Sequence, residues 1–304
     1  MDAEARARIR ELAIPPAWTD VWICPDPHGH IQATGYDDAG RKQYLYHDSW
    51  REHRDRQKFQ QMEDFATSLP AMRERIERDL ALRGLVRPRV LSCAVRLLDL
   101  GFFRIGSERY AAENETYGLA TIKKRQVRLE GGAAVFDYRA KGSKRHVQVV
   151  ADSLVLPTIR SLKKRGPGAG ELFEYRNGRS WRDVRSDEIN EHLKELAGAD
   201  FTAKDFRTWN ATVLAAVALA RHDPAELSKA AHRRVVNEAV KDVAGYLSNT
   251  PSVCRSAYID PRVIDRFDSG ETIRRALDRE INGTEPGEFP HRERIEAAVL
   301  KLIR

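Results

Sequence analysis

From just past Pro70 the apolar residues recur at helical spacing, and a single stretch, residues 126–150, breaks that pattern. There QVRL (126–129), AVFDYR (134–139) and HVQVV (146–150) alternate with a period of two, separated by a Glu-Gly-Gly and a Lys-Gly-Ser turn. Alternation bounded by such turns specifies a short antiparallel meander. Around it, AMRERIERDLALR (71–83) closes on Gly84 and RVLSCAVRLLDL (89–100) on Gly101, as helices that end at glycine do. Helices resume over 152–165, with RGPGAG (165–170) as a connector. Thr202 opens a long helix to Arg221, Asp223-Pro224 and Asp260-Pro261 read as two further helix starts, and the last helix covers about 290–303. Upstream, residues 20–50 carry turn clusters and the alternating Gln43-Tyr44-Leu45-Tyr46, followed by a helix over 49–66. The expected fold is α+β: a small β-rich N-terminal domain over 1–70, with a seam at Ser68-Leu69-Pro70, and a larger, mainly helical domain over 71–304.

A chain of 304 residues suits two domains. No apolar run approaches the roughly 20 residues of a membrane span, and the charged start MDAEARARIRELAI has no signal-peptide core, so a cytoplasmic protein is expected. Cys24, Cys93 and Cys254 are scattered and odd in number, which points to reduced, mostly buried thiols. The net charge of +7 is unevenly placed. Residues 1–70 hold 9 Lys/Arg against 12 Asp/Glu, whereas residues 121–165 hold 12 against 3. One sign so concentrated favours nucleic acid as the partner over a merely solvated face.

The segment SNTPSVCRSAYID (248–260) ends on Tyr258, with KDFRTW (204–209), RAKGSKRH (139–146) and FFRIGSERY (102–110) far upstream. Transesterification at a phosphodiester needs a nucleophile, cations to stabilise the phosphorane, and a proton for the departing alkoxide. A phenol is weakly nucleophilic at neutral pH, its pKa lying near 10. Neighbouring arginines lower that value and hold nonbridging oxygens in their forks, and a lysine can protonate the leaving oxygen. No HExxH motif or tight acidic cluster offers a metal route, and Gly35–Gly40 lacks the Lys-Ser/Thr of a P-loop. Each residue also has a plain reading. Tyr258 suits a helical core, Arg104 a surface, and Lys141 a hairpin turn. Arg207 near a helix start opposes the dipole, which favours a phosphate partner. Their joint occurrence carries the weight.

In these motifs the chain resembles the poxvirus-type (type IB) DNA topoisomerases in their bacterial form. The likeness runs in order through IPPAW (14–18), ATGYDDAGRKQYLYH (33–47), RIGSERYAAENETYGLATIKKRQV (104–127), AKGSK (140–144), KDFRTW and NTPSVCRSAYIDP (249–261). It implies a catalytic domain of the type IB topoisomerase and tyrosine recombinase kind. The implied activity is relaxation of supercoiled double-stranded DNA, without ATP or metal, by nicking one strand through a 3′-phosphotyrosyl bond, swivelling and religation. By position, Tyr258 is the nucleophile, Arg104 and Arg207 the phosphate clamps, and Lys141 the general acid. Gln43, Tyr44 and Tyr46, together with Tyr110 and Lys144, are expected to contact DNA, the domains closing as a monomeric clamp with no obligate protein partner. One departure stands out. Many members carry His nine residues before the tyrosine, where this chain has Asn249. An amide can still donate to a nonbridging oxygen but cannot transfer a proton; alternatively Asn249 merely caps the next helix. Two rival functions are a tyrosine recombinase, which usually has His where Lys204 stands, and a non-catalytic DNA-binding protein.

Overall fold

A stripe of apolar residues at Met62, Phe65, Leu69, Met72, Ile76 and Leu80, all buried, keeps helical spacing straight through Pro70. The computed structural model, which describes residues 3–101, 103–165, 170–282 and 292–304, accordingly shows one helix, α2 (Asp48–Leu80), where a break at 68–70 was expected. Proline removes one backbone donor, but burial along the stripe outweighs that loss. The chain divides into two compact units, Met1–Gln61 and Met62–Arg304, so the division falls within α2.

The first unit holds α1 (Ala3–Glu11) and a three-stranded antiparallel sheet, β1 (Thr19–Ile23), β2 (Ile31–Tyr36) and β3 (Lys42–Tyr46), in that order. Gly35 pairs with Gln43 and Thr34 with Tyr44. The Asp37 carboxylate organises the β2–β3 turn by accepting from the backbone N–H groups of Ala39 and Arg41. Arg41 holds that carboxyl at about 2, below the usual carboxylate range.

The second unit begins with the rest of α2, then α3 (Arg87–Gly101) and α4 (Glu108–Asn114). The meander appears where the alternation placed it, as β4 (Val127–Glu130), β5 (Ala133–Arg139) and β6 (Arg145–Val150), antiparallel in sequence order. Then come α5 (Leu156–Lys164), a hairpin of β7 (Glu174–Asn177) and β8 (Ser180–Asp183), and α6 (Ser186–Ala197). The remaining helices are α7 (Ala203–Ala220), α8 (Lys229–Leu247), α9 (Pro251–Ala257), α10 (Pro261–Asp268), α11 (Arg274–Asn282) and α12 (Arg292–Ile303). Most of the RGPGAG connector and the first residues of the expected 290–303 helix lie outside the described residues. Asp223-Pro224 opens a single 3₁₀ turn, and the following α-helix starts at Ser228, whose hydroxyl accepts from Ala231 N–H.

α7 is the hub. Its Phe206, Trp209, Ala211 and Leu219 are buried, and it packs against α3, α8, α10, α11 and α12. At the crossing of α2, α3 and α12, buried Arg73 donates to both Asp99 and Glu296, while Arg292 reaches Asp99 and Asn210. Cys93 and Cys254 are buried free thiols, but Cys24 is only half-buried.

Candidate active site

The N-terminus of α7 is fixed by Asp205, whose carboxylate accepts from both the backbone N–H and the hydroxyl of Thr202, at 2.8 and 3.0 Å. That cap sets Lys204, exposed, in the first turn and Arg207 one turn deeper, only 4% exposed. A buried guanidinium needs acceptors, and Arg207 finds one at the end of α8, where its Nη2 donates to the Leu247 carbonyl at 2.9 Å. Ser248 ends α8 in the left-handed region (φ 53°), which turns the chain and leaves terminal carbonyls for side-chain donors. Arg104 uses the same end: its Nη2 donates to Asn249 Oδ1 at 2.6 Å and lies 3.3 Å from the Ser248 carbonyl. The negative end of a 19-residue helix thus seats two guanidinium groups.

Arg104 owes its place to a close crossing of two backbone segments. Leu119 N–H donates to the Arg104 carbonyl at 2.9 Å and Ala120 N–H to that of Ile105 at 2.8 Å. Gly106 (φ +87°) meets Gly118 so tightly that a Cβ on Gly118 would lie 2.8 Å from the Arg104 oxygen. Only glycine fits on either side. Beside it, buried Phe103 packs edge-on against Phe136 of β5.

Tyr258 is delivered by α9. Thr250 caps that helix, its hydroxyl accepting from Val253 N–H at 3.4 Å, so the cap expected as an alternative role for Asn249 belongs to its neighbour. The helix closes on Tyr258, whose N–H donates to Cys254 O and whose carbonyl accepts from the buried Thr212 hydroxyl of α7. The phenol is hydrogen-bonded to Arg207, whose guanidinium carbon lies 5.2 Å from the ring centre. Burial alone would raise the phenol's pKa. The charge and hydrogen bond of Arg207, then the charges of Arg104 and Lys204, more than offset it and hold the phenol below its ordinary value. Burial and the neighbouring Arg104 bring Arg207 down to about 10, so it stays cationic at neutral pH.

Lys141 stands exposed in the turn between β5 and β6, where Gly142 takes φ 76°. It lines the same cleft, of about 290 Å³, as Arg104, Lys204, Arg207 and Tyr258. The structure therefore brings together four of the five catalytic candidates around one cavity, and ties Asn249 to it through Arg104. With its Oδ1 occupied, the Asn249 Nδ2 is buried with no protein partner. Lys144 is exposed just past the Lys141 turn. The Tyr110 side chain lies outside the described residues. In the first unit, Gln43 donates to Asp37 at 2.9 Å, and exposed Tyr44 stacks with Tyr46, which stacks in turn on Trp50 at 4.6 Å. Lys204 is the residue that sequence reasoning left without a role. Its place in KDFRTW, one turn before Arg207, was the available signal.

Cations converging on a phenol are the arrangement that attack on a phosphodiester by a tyrosine would require. Residues 47–279 match the model of the eukaryotic DNA topoisomerase I catalytic core, and residues 1–37 that of the bacterial DNA topoisomerase IB N-terminal domain. The chain is 31% identical to a DNA topoisomerase 1B of Acanthamoeba polyphaga mimivirus, over 83% of this chain and 76% of that protein. It is 26% identical to a DNA topoisomerase 1 alpha of Arabidopsis thaliana, over 52% of this chain but only 16% of the plant protein. The chain belongs to the type IB DNA topoisomerase family and is a type I DNA topoisomerase.

Proposed function

We propose that this enzyme relaxes supercoiled duplex DNA through a 3′-phosphotyrosyl intermediate, with Tyr258 as nucleophile. The phenol oxygen forms a bond to phosphorus as the bond to the 5′ oxygen breaks. The phenol proton leaves to solvent, and Lys141 gives a proton to the departing 5′ oxygen, which leaves as a hydroxyl. Arg104 and Arg207 hold the nonbridging oxygens while charge builds on them, and the unpartnered Asn249 amide donates a third hydrogen bond. Each ester bond made replaces one broken, so the step balances without a nucleotide. Among the described residues no group of three or more His, Cys, Asp or Glu side chains is placed to hold a metal ion. The stacked Tyr44 and Tyr46, with Gln43, serve duplex DNA in the first unit, as Tyr110 and Lys144 do in the second. Affinity comes chiefly from phosphate contacts.

The observation that carries this reading is the convergence of Arg104, Lys141, Lys204 and Arg207 on the cleft that Tyr258 lines, with the Arg207 guanidinium carbon 5.2 Å from the centre of its ring. Supercoiled plasmid incubated with the protein in EDTA without ATP should give a ladder of relaxed topoisomers. Tyr258→Phe should bind DNA yet trap no covalent adduct on a denaturing gel. An adduct from that variant would refute the assignment.

A further inference from the structure

The end of α8 has a neighbour that the chemistry above does not use. His146, on β6 five residues past Lys141, is half-buried, its ring edge-on to Tyr138 at 5.3 Å and to Phe103 at 6.4 Å. Its Nδ1 lies 3.3 Å from the Ser248 hydroxyl, and its Nε2 is buried with no partner. An orphaned buried nitrogen is costly, so the ring is held there by what its other edge does. That edge meets the one left-handed, non-glycine residue at the α8 terminus. Such a backbone costs energy in a residue with a Cβ, and a side-chain hydrogen bond is a direct means of holding it.

We propose that His146 is a positioning residue for cleavage: by bonding the Ser248 hydroxyl it fixes the turn whose carbonyls, with Asn249, seat Arg104 and Arg207. This rests on the reading of those arginines as phosphate clamps. The ring touches no reacting atom; it acts through Ser248. Burial first, then the charges of Arg207 and Arg104, lower the imidazole's pKa, and the neutral ring that results adds no third positive charge to the seat. In either tautomer Nδ1 can serve, as acceptor from or donor to a hydroxyl.

The test is single-turnover cleavage of a duplex carrying one site, measured beside DNA affinity. His146→Ala should cleave about tenfold more slowly, the equivalent of one lost hydrogen bond, with affinity unchanged. His146→Asn, whose amide falls where Nδ1 was, should restore most of the rate, whereas His146→Gln, whose amide falls near Nε2, should not. Ser248→Ala should match His146→Ala, and the double variant should be no slower than the slower single, because both remove one bond. Wild-type cleavage by Ser248→Ala, additive losses, or equal rescue by Asn and Gln would overturn the proposal. Should His146→Ala fail to fold, Ser248→Ala and the Asn/Gln pair decide. Arg104→Ala and Arg207→Ala run alongside: if they too cleave at the wild-type rate, it is the clamp reading that fails.

Discussion

Replacing Gly118 with alanine puts one methyl group into the crossing that holds Arg104. The added carbon would lie 2.8 Å from the Arg104 carbonyl oxygen and closer still to the Gly106 backbone. Ordinary contact begins near 3.4 Å and the Gly106 Cα would lie at 2.3 Å, so the 104–106 segment must withdraw by about 1.1 Å. No flexible side chain can yield in its place, because every neighbour is backbone. The expected stability loss is that of overpacking, about 1–3 kcal/mol. The larger effect falls on chemistry. A reacting group displaced by about 1 Å costs on the order of 100-fold in rate, so cleavage should drop between about tenfold and 100-fold. Urea unfolding and single-turnover cleavage, measured below the unfolding transition, separate the two losses. Gly178→Ala is the control: that turn glycine has φ +61° but open space around it, so it should lose about 1 kcal/mol of stability and no cleavage rate. A Gly118→Ala enzyme that cleaves like wild type would show that Arg104 does not depend on the crossing.

Lys141→Ala should slow cleavage by orders of magnitude, and a 5′-bridging phosphorothiolate, whose thiolate leaves without a proton, should recover most of the rate; no recovery would remove Lys141 as general acid. Cleavage should rise with pH as the phenol ionises, with its inflection below 10, the ordinary value for tyrosine. Lys204→Ala removes one of the cations favouring the phenolate, so the inflection should move up, and a fixed inflection would exclude that coupling. Arg73→Ala takes one cation from Asp99 and Glu296 but leaves Arg292 to both and Arg96 to Asp99, and should cost about 1.5–3 kcal/mol by urea unfolding. Burial would raise the Asp99 carboxyl, but Arg292, Arg73 and Arg96 hold it below its ordinary value. Its contribution is therefore present above the unfolded carboxylate value and lost as pH falls through the lower folded one. Arg73→Ala should move that acid loss to higher pH.

The residues proposed for the chemistry, which the fold gathers around one cleft, were legible because their types are rare in combination: a tyrosine, two arginines and a lysine in four separated motifs. The meander at 126–150 was legible for the same reason, period two framed by glycine turns. Pro70 misled because local propensity says nothing of the six buried side chains that carry α2 past it. Asp223-Pro224 misled because a helix-start signal does not state how long the helix runs. The seat for the arginines is hidden from sequence in a stronger sense. Apart from the Asn249 amide oxygen, it consists of main-chain carbonyls at Leu247 and Ser248, and a carbonyl has no letter. Gly106 and Gly118 lie within quoted motifs, yet their meaning is a distance between two backbones that only the folded chain supplies.

Crowding two guanidinium groups onto one helix end leaves like charges pressed together, and Arg104 adds to the burial that brings Arg207 down to about 10. Any anion that settles between them relieves the repulsion, and the resealed duplex does so as well as the strained one it came from. Nothing at this seat tells substrate from product. Departure must then be governed by competition from dissolved anions for the phosphates, so a modest rise in ionic strength should quicken release, and with it turnover, before a larger rise strips the enzyme from DNA altogether.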